Sequence, residues 1–333
     1  MRDKYINKKN NRRKPNVLFV GFAKCGTTTL YDIMSQHSEI YLSKIKEPVY
    51  YSSEYVEPKG FEWYLKRYYP KKCNKKVIME INPLIARSNI PDKILRDFGQ
   101  DTKIIFMIRN PVKRMYSNFK MNLLPGINFK TKKEHLEGNS SILFDKWVKE
   151  NFIKDGEKLK IRQVRQTKFC RNGTYLENIK GYYEKFPSEN IRVYIFEDFI
   201  ANPEKICKDI FDFIGVNYQE NINYNIHSNE LNFKPTMIGM WILDKWFAYI
   251  WPRFFIKKLP YCCDSFSSLL NKISWKLPEI VSKKDNEKVG ISKFAEDTII
   301  SYYYDSIKEL EGIIGIDLFE KWGINRRNTK NKY

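Results

Sequence analysis

A chain of 333 residues, 42% apolar and 15% aromatic, is long enough for one sizeable core or two modest domains and too apolar to be a disordered polymer. Its 59 Lys and Arg against 39 Asp and Glu leave a formal charge of +20. That excess attracts polyanions as a class (nucleic acid, anionic lipid, nucleotide phosphates, acidic glycans), although a solvated lysine-rich surface accounts for it equally well. Six cysteines with no C-x-x-C pair, and only three histidines (His37, His135 and His227), offer no zinc spacing, and scattered thiols fit a reducing, cytoplasmic compartment.

Residues 1–14 form a basic polar run with no apolar core, so neither a secretory signal nor a membrane anchor is expected there. The sequons at Asn139 and Asn172 carry no meaning without a secretory route. Residues 17–20 read as a strand running into Gly21, and residues 28–37 as a helix with Leu30, Ile33 and Met34 on one face. Residues 77–79 read as a second strand. Residues 104–108 are continuously apolar, as suits a strand buried on both faces of a parallel sheet. Pro111 opens the next helix, since proline fits a first helical turn. A buried strand over 191–196 precedes a helix over 203–214 that stops at Gly215. A last helix is expected over 292–313, ending near Gly315.

This alternation predicts an α/β, P-loop-type layered fold with a central parallel sheet flanked by helices, and ligands at the carboxyl ends of the strands. Residues 1–15 and 324–333 read as charged tails around a single domain over 16–323. Within it, residues 236–277 stand apart. They hold Trp241, Trp246, Trp251, Phe254 and Phe255 among Lys and Arg, with no apolar run long enough to span a membrane. Helices packed on the domain and an amphipathic lid lying on a membrane or an acceptor groove are both open readings.

Gly21-Phe-Ala-Lys-Cys-Gly-Thr-Thr-Thr29 lies between the first strand and the first helix, with the glycine spacing of a phosphate-binding loop. Backbone N–H groups in such a turn converge on an anion at a helix N-terminus. The nucleotide-hydrolysing motif needs Lys directly after the second glycine. Thr27 stands there, and the lysine sits inside the loop as Lys24, which argues against an ATPase or GTPase. A second anion site is expected where Arg109 ends the third strand and Ser117 lies two turns into the next helix. Arg114 is one turn before Ser117 and could instead form a local salt bridge.

Together these motifs resemble the sulfotransferases that use 3′-phosphoadenosine 5′-phosphosulfate (PAPS), especially the carbohydrate and heparan sulfate enzymes and their bacterial relatives. Lys24-Cys-Gly-Thr-Thr28 matches the family's 5′-phosphosulfate loop. Arg109 to Phe119 matches its 3′-phosphate motif, with Phe in place of a final Tyr. Lys46-Glu-Pro-Val-Tyr-Tyr51 is similar to the segment that carries the general base, and Met79-Glu-Ile-Asn-Pro83 to an E-x-S-P segment. Arg171-Asn-Gly-Thr-Tyr175 and the 310–322 stretch, where Trp322 comes one residue late, also follow the family. The likeness runs over about 16–322. One departure is Ile81, which stands where some heparan sulfate enzymes carry a second lysine.

The resemblance implies these roles. Glu47 is the base and Lys24 stabilises the leaving phosphate. Lys24, Cys25, Gly26, Thr27, Thr28 and Thr29 hold the 5′-phosphosulfate, while Arg109 and Ser117 hold the 3′-phosphate. Lys234 assists from a later loop. The co-substrate is PAPS, the product adenosine 3′,5′-bisphosphate, and no metal is required. The acceptor is a hydroxyl of a glycan or of another hydroxyl-bearing molecule, with polysaccharide, lipid-linked sugar, small glycan and a Tyr-bearing peptide all open. No specific nucleic acid partner is expected, and peripheral membrane contact is left open. On spacing alone, Glu47 could simply pair with Lys46. His37 and Glu80 are rival bases, with a structural role suggested for His37 by its place at the helix end. A P-loop kinase or NTPase, and a non-enzymatic polyanion binder, are the competing functions.

Overall fold

The computed structural model of the chain describes residues 6–7, 12–43, 45–48, 50–52, 56–123, 140–154, 157–158, 175–226, 233–246, 273, 277, 280–284 and 290–326. Five strands form one parallel sheet: β1 (Val17–Gly21), β2 (Ile40–Leu42), β3 (Val77–Ile81), β4 (Lys103–Ile108) and β5 (Ile191–Ile195). Their spatial order is β2-β3-β1-β4-β5, with β1 at the centre. Every residue of β1 and β3 is buried, which explains the apolar runs at 17–20 and 77–79, with Glu80 the one buried charged residue in β3. From β1 the chain passes to the edge strand β2, returns to β3 beside β1, and then crosses to the other side for β4 and β5. The carboxyl ends of β1 and β4 therefore flank the point where the winding reverses, the place at which open α/β sheets bind ligands.

Two compact units divide the chain. The first is Met1–Asn110, Asn172–Asn229 and Asp305–Ile324, and the second is Pro111–Arg171, Glu230–Tyr304 and Asn325–Tyr333. The first holds the sheet with helices α1 (Thr27–Met34), α2 (Phe61–Tyr68) and α3 (Pro91–Phe98). In the second lie α4 (Pro111–Leu123) and α5 (Ser140–Phe152). The chain then returns to the first unit with α6 (Tyr175–Tyr183), α7 (Phe196–Ala201) and α8 (Pro203–Ile214). Leu30, Ile33 and Met34 bury the inner face of α1. The Asn202 side chain caps α8 by accepting from the Lys205 N–H at 3.0 Å, and Gly215 ends it in the left-handed conformation (φ 75°), as the sequence predicts.

The second unit also contains α9 (Met237–Lys245) and a two-stranded antiparallel pair, β6 (Phe233–Pro235) with β7 (Ser282–Lys284). Aromatic packing dominates around α4 and α5. Phe119 lies 5.3 Å from Phe144 and 5.8 Å from Trp147, centroid to centroid, so the ring at this motif position is a core group with no need of a hydroxyl. Gly239 lets α9 approach the Val281 carbonyl more closely than any side chain would permit. Ile238 and Trp241, one turn apart on α9, are 74% and 63% exposed. Helix α10 (Lys293–Ile314) runs through both units, and α11 (Leu318–Trp322) closes the first.

The first predicted helix is shorter than expected. It ends at Met34, and the short β2 that follows is absent from the sequence reading because only Ile40 of its three residues is fully buried. Lys234, expected in a loop, lies within β6 opposite Lys283. Residues 1–5, 247–272 and 327–333, the sequons' Asn139 and Asn172, His135 and His227 lie outside the described residues.

Candidate active site

The chain between β1 and α1 turns through two left-handed residues, Lys24 (φ 67°) and Gly26 (φ 76°). At Gly26 a Cβ would stand 3.0 Å from the Phe196 ring and 3.3 Å from that of Phe199, so both space and backbone demand glycine. No side chain caps the first turn of α1, whose N–H groups lack intrahelical acceptors. Thr27 and Thr29 are buried, Thr28 is half-buried, and Cys25 is fully buried beside the Tyr175 hydroxyl.

Arg109 follows β4. Its backbone N–H donates to the Tyr175 hydroxyl at 3.2 Å, and that hydroxyl donates to the Arg109 carbonyl at 2.8 Å. The guanidinium lies 4.5 Å over the Phe196 ring, and Nη1 donates to the Lys24 carbonyl at 3.1 Å. Its Nε is buried with no hydrogen-bond partner among the described residues. Lys24 and Arg109 thus share one locality at the ends of adjacent strands.

Glu47 enters from the segment after β2. It is the other non-glycine residue with positive φ (55°) among those described. Lys46 lies between it and the turn: its ammonium donates to the Thr28 hydroxyl and stands 3.8 Å from the Glu47 carboxylate. The same ammonium is 5.9 Å from the centroid of the Tyr31 ring. Lys46 is the functional candidate that sequence reasoning passed over as a mere partner for Glu47. The signal available was the missing lysine at Ile81, which is buried in β3 and turned into the core.

Burial lowers the Lys24 ammonium to about 8, helped by Arg109 and Lys46 and opposed by Cys25 and Glu47. Burial also raises the Glu47 carboxyl above its ordinary range, with Lys46 and Lys24 pulling it back. Lys46 is lowered by burial and held up by Glu47. Three cations and one carboxylate in one poorly solvated turn leave a local excess of positive charge that an anion would relieve.

Glu80 and His37 are structural. Glu80 is buried and accepts from the hydroxyls of Tyr64 and Tyr69 and from Asn82 Nδ2 at 2.9 Å. Asn82 also donates to the Pro48 carbonyl at 2.7 Å, which ties the segment carrying Glu47 to β3. Both His37 nitrogens are engaged, one with the Asn217 carbonyl at 2.8 Å and one accepting from the Glu39 N–H at 3.1 Å, so neither is available as a base.

Ser117, half-buried in the second turn of α4, and Lys234 in β6 belong to the second unit. The 171–174 part of the R-x-G-x-Y motif lies outside the described residues. Trp322 accepts from Asn110 at 3.5 Å through its carbonyl, so the tryptophan one place late still packs at the end of β4.

Sheet order and strand-end chemistry define a parallel α/β protein with a cation-rich turn at its winding reversal. The chain belongs to the sulfotransferase domain family, whose profile matches residues 14–236, about two thirds of its length. It is 24% identical to the membrane-associated sulfotransferase kil1 of Dictyostelium discoideum over 61% of this chain and 56% of that protein. It is 29% identical to human heparan sulfate glucosamine 3-O-sulfotransferase 6 over 35% and 33%. The chain therefore spans about half or less of the curated relatives it matches. A solved sulfotransferase from Alicyclobacillus acidocaldarius is 22% identical with a TM-score of 0.48, over 65% of this chain and 87% of that one.

Proposed function

We propose that the chain transfers a sulfuryl group from PAPS to a hydroxyl of a carbohydrate. The observation that carries this reading is the convergence of Lys24, Lys46 and Arg109 on the turn at 22–28, with Glu47 as the one carboxylate among them. Glu47 takes the proton as the acceptor oxygen forms its bond to sulfur, and the bond from sulfur to the bridging oxygen breaks. The electron pair leaves with the 5′-phosphate of adenosine 3′,5′-bisphosphate. A carboxyl raised by burial suits that role, because it is a stronger base than an exposed one.

Lys24 stabilises the bridging oxygen, and Cys25 to Thr29 supply backbone and hydroxyl donors to the 5′-phosphosulfate. Lys46 supplies the second cation that Ile81 cannot. Arg109, with a buried unpaired Nε, binds the 3′-phosphate together with Ser117, and Lys234 assists. Sulfuryl transfer, like phosphoryl transfer, is governed by positioning and by stabilisation of peripheral charge. The names of the heparan sulfate relatives support a glycan acceptor, and that of the Dictyostelium relative supports a peripheral membrane location.

The test is a titration with adenosine 3′,5′-bisphosphate, ATP and adenosine 5′-phosphate, read by thermal shift with and without Mg²⁺, beside transfer of label from PAPS to a glycan panel. The bisphosphate should stabilise the protein without Mg²⁺ and ATP should not. Arg109→Ala should weaken the bisphosphate at least tenfold more than adenosine 5′-phosphate, the loss of one charge-assisted pair. Equal losses on both ligands would remove the 3′-phosphate role. Mg²⁺-dependent binding of ATP would favour the kinase reading.

A further inference from the structure

A lysine-rich segment lies at the opposite end of the sheet from Lys24 and Arg109. Between Trp63 and Met79 the chain carries Lys66, Arg67, Lys71, Lys72, Lys75 and Lys76, and no Asp or Glu. Lys66, Lys71, Lys72 and Lys76 are exposed, and none forms an ion pair with another described residue. Lys66 and Arg67 fall in the last turn of α2, where a cation suits the negative end of the helix dipole. The other four follow the helix in irregular chain and have no such local reason.

The segment is braced from below. Arg13 is buried and donates to the carbonyls of Cys73 at 3.1 Å, Lys75, and Lys76 at 3.1 Å. Lys75 in turn donates to the Ser38 carbonyl. The lysines therefore project from a fixed backbone, with the charge of Arg13 added beneath them. Like charges held together in this way repel one another and raise the free energy of the folded protein until a counter-charge arrives. Because the backbone is already ordered, little conformational entropy is lost when that happens.

Lys76 immediately precedes β3 and Arg13 lies shortly before β1, so both stand at the amino ends of the strands. The Lys24 turn follows the carboxyl end of β1, about 17 Å away along a five-residue strand. The segment is therefore separate from the donor turn. Its aromatic rings are not presented outward: Tyr68 and Tyr69 are buried, and the Lys59 ammonium covers Trp63 at 4.8 Å. It thus lacks the exposed wedge that enters a bilayer interface and the platform on which bases stack. What remains is a set of pre-placed point charges suited to carboxylate and sulfate groups along a chain.

We infer that the Arg13-braced segment at 66–76 is a docking surface for a linear acidic polysaccharide. The inference does not depend on the donor reading. It gives the molecule a hold on a polyanionic chain that is remote from the turn carrying Glu47.

The test uses the full chain and heparin as probe, with dissociation constants measured across a salt series. Changing Lys66, Lys71, Lys72 and Lys76 together to Ser should weaken heparin at least tenfold. It should also lower the slope of log Kd on log salt by about three, as counterion release requires. Changing the exposed Lys146, Lys149, Lys205 and Lys308 to Ser removes the same charge elsewhere and should cost less than threefold. Unaltered binding of adenosine 3′,5′-bisphosphate by the first variant would show an intact fold and an untouched donor turn. Equal losses in the two variants would overturn the inference, leaving only diffuse charge. A larger loss for vesicles of anionic lipid, or for duplex DNA, than for heparin would assign the segment to those surfaces and overturn it as well.

Discussion

Glu47 and Lys24 both adopt left-handed backbone that ordinary side chains avoid at a cost of about 1–3 kcal/mol. Such positions persist where neighbouring structure holds them, and here they are the two residues proposed to handle the proton and the leaving group. Glu47→Gln keeps the shape and removes the base, so turnover should fall about 10²–10⁴-fold. Binding of adenosine 3′,5′-bisphosphate should stay within twofold, and unchanged turnover would reassign the base. Lys46→Met tests the second cation through pH. Burial raises the Glu47 carboxyl, and Lys46 is the first of the groups that lower it. Removing that ammonium should raise it further. Because the base must be deprotonated to act, the acidic limb of kcat/KM should move to higher pH. An unmoved limb would mean that Lys46 does not act on Glu47.

At the scale of elements, the strand ends are held by buried polar groups that belong to no catalytic step. Glu80, Tyr64, Tyr69 and Asn82 form one such set, joined through Asn82 to the Pro48 carbonyl. Glu80→Ala would leave the Tyr69 hydroxyl and one Asn82 amide hydrogen buried without an acceptor, since the Tyr64 hydroxyl can still donate to that of Tyr69 at 3.1 Å. Each such group costs about 1–3 kcal/mol, so a loss of about 2 kcal/mol or more is expected in denaturant unfolding. A loss under about 1 kcal/mol would show that the network relaxes onto water. The turn after β1 depends on packing of another kind: Gly26 must be a glycine because Phe196 and Phe199, about 170 residues later in the chain, press against it.

Across the whole molecule, charge and apolar surface are unevenly placed. The second unit exposes Ile238 and Trp241 on α9, and among the described residues no helix is long and apolar enough to cross a membrane. A paired change of these two residues to Ser should reduce sedimentation with anionic vesicles at least fivefold, since two large side chains each contribute about 1.5–3 kcal/mol when buried. Unchanged sedimentation would remove α9 as the contact.

The parallel sheet was legible in the chain because strands buried on both faces must be largely apolar, as residues 17–20, 77–79 and 104–108 are. The glycine turn after β1 was legible because Gly26 takes a left-handed conformation for which glycine has few substitutes. Lys46 was not legible as a site residue. Its importance depends on Thr28, eighteen positions earlier, being brought beneath its ammonium. Nor was the division into two units visible, since α10 reads as one helix yet its residues belong to both.

Local sequence by itself determined the strands β1, β3, β4 and β5 and the helices α1, α4, α8 and α10, because hydrophobic period, caps and glycine turns act over a few residues. Tertiary structure alone decided that Lys24, Lys46, Glu47 and Arg109 share one place, that Glu80 and His37 are spent on structure, and that Arg13 braces a loop sixty residues away. The physical reason is that burial, hydrogen-bond partnership and charge proximity are properties of neighbours in space, and strand order sets those neighbours.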